Sequence, residues 1–460
     1  VNAARSVSVR AEPALDSWGR LARERFERLT GEQRAQRKEI GLPTDRPIVM
    51  TGHQPGFWHP GILSKYIAAD AVASACDGAS AAVIVDHDPG DPLTVHAVRD
   101  RDGRVSRSET TLGGSVSGPV ARLRPASKPA SLHPPSPETG VISADREALT
   151  RAVETLGRLG SEESVAVQSA RANRELLKPW HRVDEFTVTD LARTEAFGRF
   201  FDRCIDDTSA CVQAYNRAVR AFPEAGVSEL FAQNREHRWE IPFWLIDAEA
   251  GRRPMYHEMV EQPLFDRSRL APRALAMTAC LRMAFCDLFV HGTGGASYDR
   301  ITDKWMADWL GESLAPAVSI TADVFREIPV EGDRSITKEQ RDEAVWLAHS
   351  AAHDPRLAGD ASAAEIKQRY VEDVAALPYA SDERRDRYLE MHRWLEGWRD
   401  AHATQLVELE RGAREAERGM ELRELESRRD WPAILYPPAA IDDLASRIAA
   451  GVGGSSLRER

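Results

Sequence analysis

Hydrophobic and polar positions change period several times along the first hundred residues. Over 14–40 (LDSWGRLARERFERLTGEQRAQRKEIG), Leu15, Trp18, Leu21, Ala22 and Phe26 recur at three- and four-residue spacing, which predicts an amphipathic helix. A short apolar run at 47–50 (PIVM) leads into Thr51-Gly52, a strand entering a loop, and that loop (GHQPGFWHPG) is dense in Gly and Pro. ILSKYIAADAVASAC follows with helical period and ends at Asp77-Gly78. AAVIV at 81–85 is a second strand, which breaks into Asp86-His87-Asp88. Strand, Gly-rich loop, helix and strand make a βαβ unit with a right-handed crossover and parallel strands. The unbroken apolar character of the second strand suits a sheet covered on both faces.

Farther along, 93–135 read as polar strands in a hairpin around Asp102-Gly103, with a Pro/Ser-rich loop at 125–137. Helical spacing is expected at 143–160, 190–221 and 224–233, a buried strand at 241–247, and a buried helix running into a strand at 271–290. Over 381–428, Tyr388, Met391, Leu395, Trp398, His402, Leu406, Leu409, Ala413, Ala416 and Met420 follow a heptad seam. This predicts a long coiled-coil helix, with shorter helices at 337–351 and 362–376, either folded as a hairpin within the chain or paired in a homodimer. The segment after Pro432 is expected to return to the core, and GVGGSSLRER at 451–460 to be a disordered tail. The expected organisation is a core over 1–330, with an inserted hairpin at 93–140 and helical connecting segments at 143–235. A helical coiled-coil region at 331–430 and a returning segment at 431–460 complete it. The fold class is α/β: a Rossmann-like parallel sheet with helical insertions and a C-terminal coiled-coil arm.

Composition narrows the classes. With 42% hydrophobic residues in 460, the chain can bury a sizeable core. A net charge of −11 disfavours general nucleic-acid binding. The five cysteines form no CxxC pair, so a reducing compartment and no disulfide framework are expected, and none has an activating neighbour. No apolar run reaches membrane-spanning length and the N-terminal residues lack a signal-peptide core, so the expectation is a cytoplasmic protein with no membrane partner.

Three constellations carry candidate chemistry. Loop 52–61 contributes Gly52, His53, Gln54, Gly56, Trp58, His59 and Gly61 between a strand and a helix N-terminus, where free N–H groups suit phosphate or carboxylate. Asp86, His87 and Asp88, with Asp91 and His96 behind them, follow the second strand onto the same edge. They could bind an amine or a metal or serve as a base, or form only an Asx turn. The third is a glycine loop before a helix: His291, Gly292, Thr293, Gly294, Gly295, Ala296, Ser297, Tyr298 and Asp299. His237, Trp239 and His402 are weaker candidates, read as structural.

These constellations, in this order, resemble the cysteine-adding enzymes (cysteine ligases) of bacillithiol biosynthesis. Thr51-Gly52-His53-Gln54-Pro55-Gly56-Phe57, continued by Pro60-Gly61 and Lys65-Tyr66, is similar to a TGQQPG-type loop. Val85-Asp86-His87-Asp88 is similar to an EDHD strand end, and Gly292-Thr293-Gly294-Gly295-Ala296-Ser297-Tyr298 to a GGPGExAY motif. Leu270-Ala271-Pro272-Arg273-Ala274-Leu275 resembles the stretch LSPNALLRP. The chain departs from the pattern at His53, Val85, Gly295 and Pro89-Gly90, and no KMSKS-like motif is present. Residues 53–70 also resemble the start of WbqC-like proteins.

The resemblance implies a HIGH-type nucleotide-binding core and an amide-forming ligase joining cysteine to the amine of a small sugar-type acceptor, using ATP and Mg2+. Under it, loop 52–61 and Gly292, Gly294 and Gly295 would hold the nucleotide. His53 and His59 would stabilise phosphate charge, Asp86, His87 and Asp88 would hold or deprotonate the amine, and Trp58, Tyr298 and Asp299 would line the substrate pocket. The alternatives are a non-catalytic binding or scaffold protein, and a metal-dependent hydrolase built on the Asp/His cluster.

Overall fold

The structure is a computed structural model that describes residues 7–114, 118–233, 238–263 and 265–453. His237 and most of the tail at 451–460 lie outside the described residues. Strand β1 (Ser8–Glu12) is followed by α1 (Trp18–Arg28) and α2 (Gly31–Ala35). The single helix expected over 14–40 is broken because Leu29 is extended and Thr30 restarts the chain with a capping box to Gln33. The βαβ unit follows as expected: β2 (Ile48–His53), α3 (Pro60–Ala75) and β3 (Ala79–Ile84), with the two strands parallel. Gly52 is required there, since a side chain would overlap Val83 on the neighbouring strand.

The polar hairpin is β4 (Thr94–Arg101) and β5 (Arg104–Thr111), turning through Asp102 and Gly103, both at positive φ. Helices α4 (Ser143–Arg158) and α5 (Val165–Leu176) lead to β6 (Asp184–Thr187). The stretch 190–221 is three helices: α6 (Val188–Ala192), α7 (Glu195–Asp206) and α8 (Thr208–Ala221), the second capped by Thr194. The helix expected at 224–233 is absent. A turn at Pro223–Ala225 gives way to β7 (Ala232–Gln233), because Asn216 binds both backbone groups of Leu230 and Glu240 takes the N–H of Phe231, pulling the segment into a sheet edge. β7, β8 (Arg238–Asp247), β9 (Gly251–Tyr256) and β10 (Leu270–Pro272) form a separate antiparallel sheet. Then come α9 (Ala274–Cys280), β11 (Leu288–His291), α10 (Thr293–Leu310) and β12 (Ala317–Asp323).

The main sheet runs in the order β1-β12-β11-β2-β3-β6, parallel except for β1. One apolar cluster packs α3 and its neighbours on one face (Val49, Leu63, Ile67, Ala82, Val290, Ile441). A second packs α7 to α10 on the other (Met50, Val83, Phe197, Phe289, Trp305). Alternate strand residues serve the two clusters, as a sheet buried on both faces requires. The buried Arg37–Asp287 pair, 2.8 Å apart, ties the chain before β2 to the start of β11.

Helices α11 (Lys338–Ala351), α12 (Ala361–Ala376), α13 (Asp382–Ala401) and α14 (Ala403–Glu426) follow. The seam over 381–428 is thus two helices, parted at His402, whose ring bonds back to the Trp398 carbonyl at 2.9 Å. Leu395 and Trp398 pack on Ala351, Ala358 and Ala363 of the same chain, while Leu422 and Leu425 join the core. Finally α15 (Pro438–Val452) lies against α3 and β1. Among the described residues no helix is long and apolar enough to cross a membrane.

Candidate functional site

The connections from β2 and β11 leave the sheet in opposite directions. From β2 the chain passes through α3 to β3 on one side, and from β11 through α10 to β12 on the other, with α3 and α10 on opposite faces. β2 and β11 are paired neighbours, so the topological switch point falls between their carboxyl ends. In open parallel sheets that crevice is where ligands bind.

Lys65 occupies it. The side chain is buried, its Nζ donates to the Gly52 carbonyl at 2.7 Å, and its stem passes 3.8 Å from the Cβ position of Gly292. Burial without a partner carboxylate pushes the ammonium down to about 7. His53, half-buried at the end of β2, is pushed down to about 3 by burial and then by Lys65. Its Nδ1 lies 3.1 Å from the Gln54 carbonyl, which assigns the proton to Nδ1 and leaves Nε2 as an acceptor. His291 ends β11 with Nε2 2.8 Å from Asp299 Oδ2, a close contact whose direction is off a hydrogen bond. The other Asp299 oxygen takes Arg282 Nη1 at 3.1 Å, and Arg282 also binds Asp303 and the Ala315 carbonyl.

Residues 293–295, expected as loop, are the first turn of α10, with Gly292 as its N-cap. The free amides of that turn carry the positive end of an 18-residue helix. Nothing lies within 4 Å of the Cβ position of Gly294, so the turn is open there, whereas Gly295 is filled by the His291 ring. Loop 52–61 is closed by comparison. A Cβ on Gly52 would meet Val83, one on Gly61 would press on His59 and the Ala322 carbonyl, and Gly56, at φ +139°, lies beside Pro92. His59 is the cap of α3, its Nδ1 accepting from the Gly61 N–H at 3.1 Å. Burial and Arg429 hold it below its ordinary value, so the neutral cap persists at neutral pH. The glycines at 52 and 61 therefore serve close packing, and within the two glycine segments the open Cβ position is that of Gly294 in α10.

A second group sits at the end of β3. Asp86 is buried, with Oδ2 accepting from the Thr189 hydroxyl and Oδ1 without a partner, and burial pushes its carboxyl up to about 6. The Arg122 guanidinium lies 3.3 Å from the same hydroxyl. His87 is also buried, its Nδ1 unpartnered, and is pushed down to about 3 by burial, Arg252 and Arg122. At this value the ring is neutral at neutral pH and a weaker proton acceptor than the Asp86 carboxylate. Asp88 only closes its own turn, taking the Gly90 N–H at 2.8 Å, and Asp91 does the same with Leu93 and Thr94. His96 on β4 lies near Arg107 on β5. Among the described residues, no three His, Cys, Asp or Glu side chains converge as a metal-holding group.

Three residues expected to line the pocket divide. Trp58 is core: it is 4% exposed, donates to the Gln54 carbonyl at 2.9 Å and stacks on Tyr66. Asp299 is committed to Arg282 and His291, while Tyr298 on α10 is exposed. Gln54 is exposed and contributes its carbonyl. Trp239 is buried on β8, and His402 caps a helix. All five cysteines are buried, with Cys280 and Cys286 pushed up to about 12. Lys65, Arg122 and Arg252 were missed as site residues. Only Lys65 left a signal: it is the one cation in the apolar helix α3. No family model matches the chain, and a search of curated proteins returns no match.

Proposed function

We propose that the chain is a small-molecule enzyme whose site is the crevice between β2 and β11. Its reaction would be the amide-forming ligation implied by the motifs, an amino acid (cysteine) joined to an amine of a sugar-type acceptor. The observation that carries this reading is Lys65, a buried ammonium without a carboxylate partner among the described residues, at the switch point beside the open first turn of α10. Burying an unpaired cation is costly, and an anionic ligand would offset that cost. The phosphates of ATP fit this donor set: Lys65 and the amides near Gly292 and Gly294 would hold them, and the nucleotide would supply carboxylate activation. Asp86, with a carboxyl near 6, is suited to take the proton an amine must lose as it attacks. A protein-held Mg2+ does not fit here, since among the described residues no three His, Cys, Asp or Glu side chains converge.

The test is a product assay with ATP, cysteine and amine acceptors of the amino-sugar class. The proposal expects an amide product with stoichiometric nucleotide cleavage, lost in Lys65→Ala. A folded wild-type protein that cleaves no nucleotide and forms no amide with any acceptor overturns it.

A further inference from the structure

Away from the crevice, two ionisable side chains are buried beside each other with no hydrogen bond between them or to any other described residue. Glu185 on β6 and His181 in the turn before it have side chains 5% and 0% exposed, with Oε1 and Nε2 3.4 Å apart. Neither carboxyl oxygen and neither ring nitrogen has a partner, the 3.4 Å contact being too poor to count. Burial pushes Glu185 up to about 8 and, with Arg174, pushes His181 down to about 3. Arg171, Arg174 and Asp184 are the charged groups acting on Glu185, and both arginines are spent at the surface, on Glu162 and Asp184. Four buried hydrogen-bonding atoms thus have no partner among the described residues, a condition native structures resolve with a polar guest.

The location favours a ligand group over a trapped structural water. Glu185 stands in the register row Thr51–Ala82–Glu185, on the α3 face and two rows below the carboxyl edge. Tyr66 lies over it, its ring 4.7 Å from that of His181, and its hydroxyl feels the Glu185 charge. Trp58 stacks on Tyr66 at 4.3 Å, meets His181 edge-on at 5.6 Å and reaches the His53 ring at 6.0 Å, so a chain of rings links the pair to the crevice. Between Thr51 and Glu185 the row holds only the methyl of Ala82.

With Glu185 ionised, the pair offers acceptors: two carboxylate oxygens, an imidazole lone pair and aromatic rings, with no cation among the described residues paired to the carboxylate. An anion is repelled, and a neutral hydroxyl leaves the carboxylate uncompensated. A protonated primary amine supplies both the charge and the N–H donors. The geometry points to a buried subsite for the primary ammonium group of a small ligand, formed by Glu185 and His181 beneath the Tyr66 and Trp58 rings. It stands whether or not the ligase reading holds. On binding, Glu185 releases its proton to solvent while the ammonium keeps its own.

The test is titration calorimetry of the full chain with methylammonium and glucosamine, and with tetramethylammonium as the control lacking N–H. Non-amine buffers of different protonation enthalpy count the protons. Saturable binding of the primary amines is expected, with release of about one proton near neutral pH that fades once Glu185 is already ionised. Tetramethylammonium should bind more weakly, and Glu185→Gln should weaken the primary amines by about tenfold or more and abolish proton release. Absence of amine binding to the wild type, or binding without proton release, overturns the proposal and leaves a hydrated structural pair. Should Glu185→Gln fail to fold, the wild-type proton count and its pH dependence decide alone.

Discussion

Lys65 Nζ donates to the Gly52 carbonyl oxygen at 2.7 Å, tying the only cation of α3 to the penultimate residue of the strand that leads into it. That bond holds the ammonium at the carboxyl end of β2, beside Gly292. Its cost should be measurable. The folded-state value, about 7, lies below the ordinary 10.5, so between these values the unfolded chain holds a proton that the folded chain does not. Stability should therefore rise with pH from about 7 to about 10. Lys65→Met should remove that slope and be more stable than the wild type at neutral pH, by roughly 1–4 kcal/mol. Urea unfolding across that range checks both statements, and a flat wild-type profile would refute them.

Asp86 has the opposite sign. Its folded carboxyl, near 6, lies above the ordinary 3.8, so the folded state binds more protons between these values and loses stability as pH rises through them. Asp86→Asn should abolish this loss and gain about 1–2 kcal/mol at neutral pH. In a turnover assay the wild type should show an ascending limb near pH 6, and the variant should lack it.

The α10 turn makes a packing prediction. Gly295→Ala forces a methyl into the His291 ring and should destabilise by about 1–3 kcal/mol. Asp299→Ala removes one of the two carboxylates on the buried Arg282 guanidinium, leaving Asp303 and the Ala315 carbonyl, and should cost about 1–3 kcal/mol. Tyr298→Ala, on the exposed side, should change stability by no more than about 0.5 kcal/mol. Chemical denaturation gives the ranking, and a harmless Asp299→Ala would contradict the network.

His59 distinguishes the two glycine segments. As the α3 cap, His59→Ala should cost about 1 kcal/mol of stability and leave anion affinity within about twofold. A large loss of affinity with normal stability would return the anion site to loop 52–61.

The central βαβ unit was legible because PIVM, the glycine loop and AAVIV are local signals of a parallel sheet buried on both faces. β1 (SVRAE), β6 (DEFT) and β12 (AVSITAD) were not, because edge or near-edge strands mix polar residues and take their pairing from distant segments. Three glycines at 292–295 masked a helix start, since helix propensity reads them as loop while the N-cap geometry accepts them. Among the site residues, Asp86 and His53 lie at strand ends as the motifs suggested. The packing of Trp58 on Tyr66 and of Asp299 on Arg282 was not legible, because a side chain's direction follows from partners that the local pattern does not name. Arg122 and Arg252 reach the end of β3 from segments far off in sequence and left no local pattern.

The most direct test of the central claim is isothermal titration of ATP into the wild type and Lys65→Met near neutral pH. The crevice assignment predicts binding to the wild type and an affinity lower by about tenfold or more in the folded variant. Equal affinity in the two proteins, or no binding of ATP to the wild type, would contradict it.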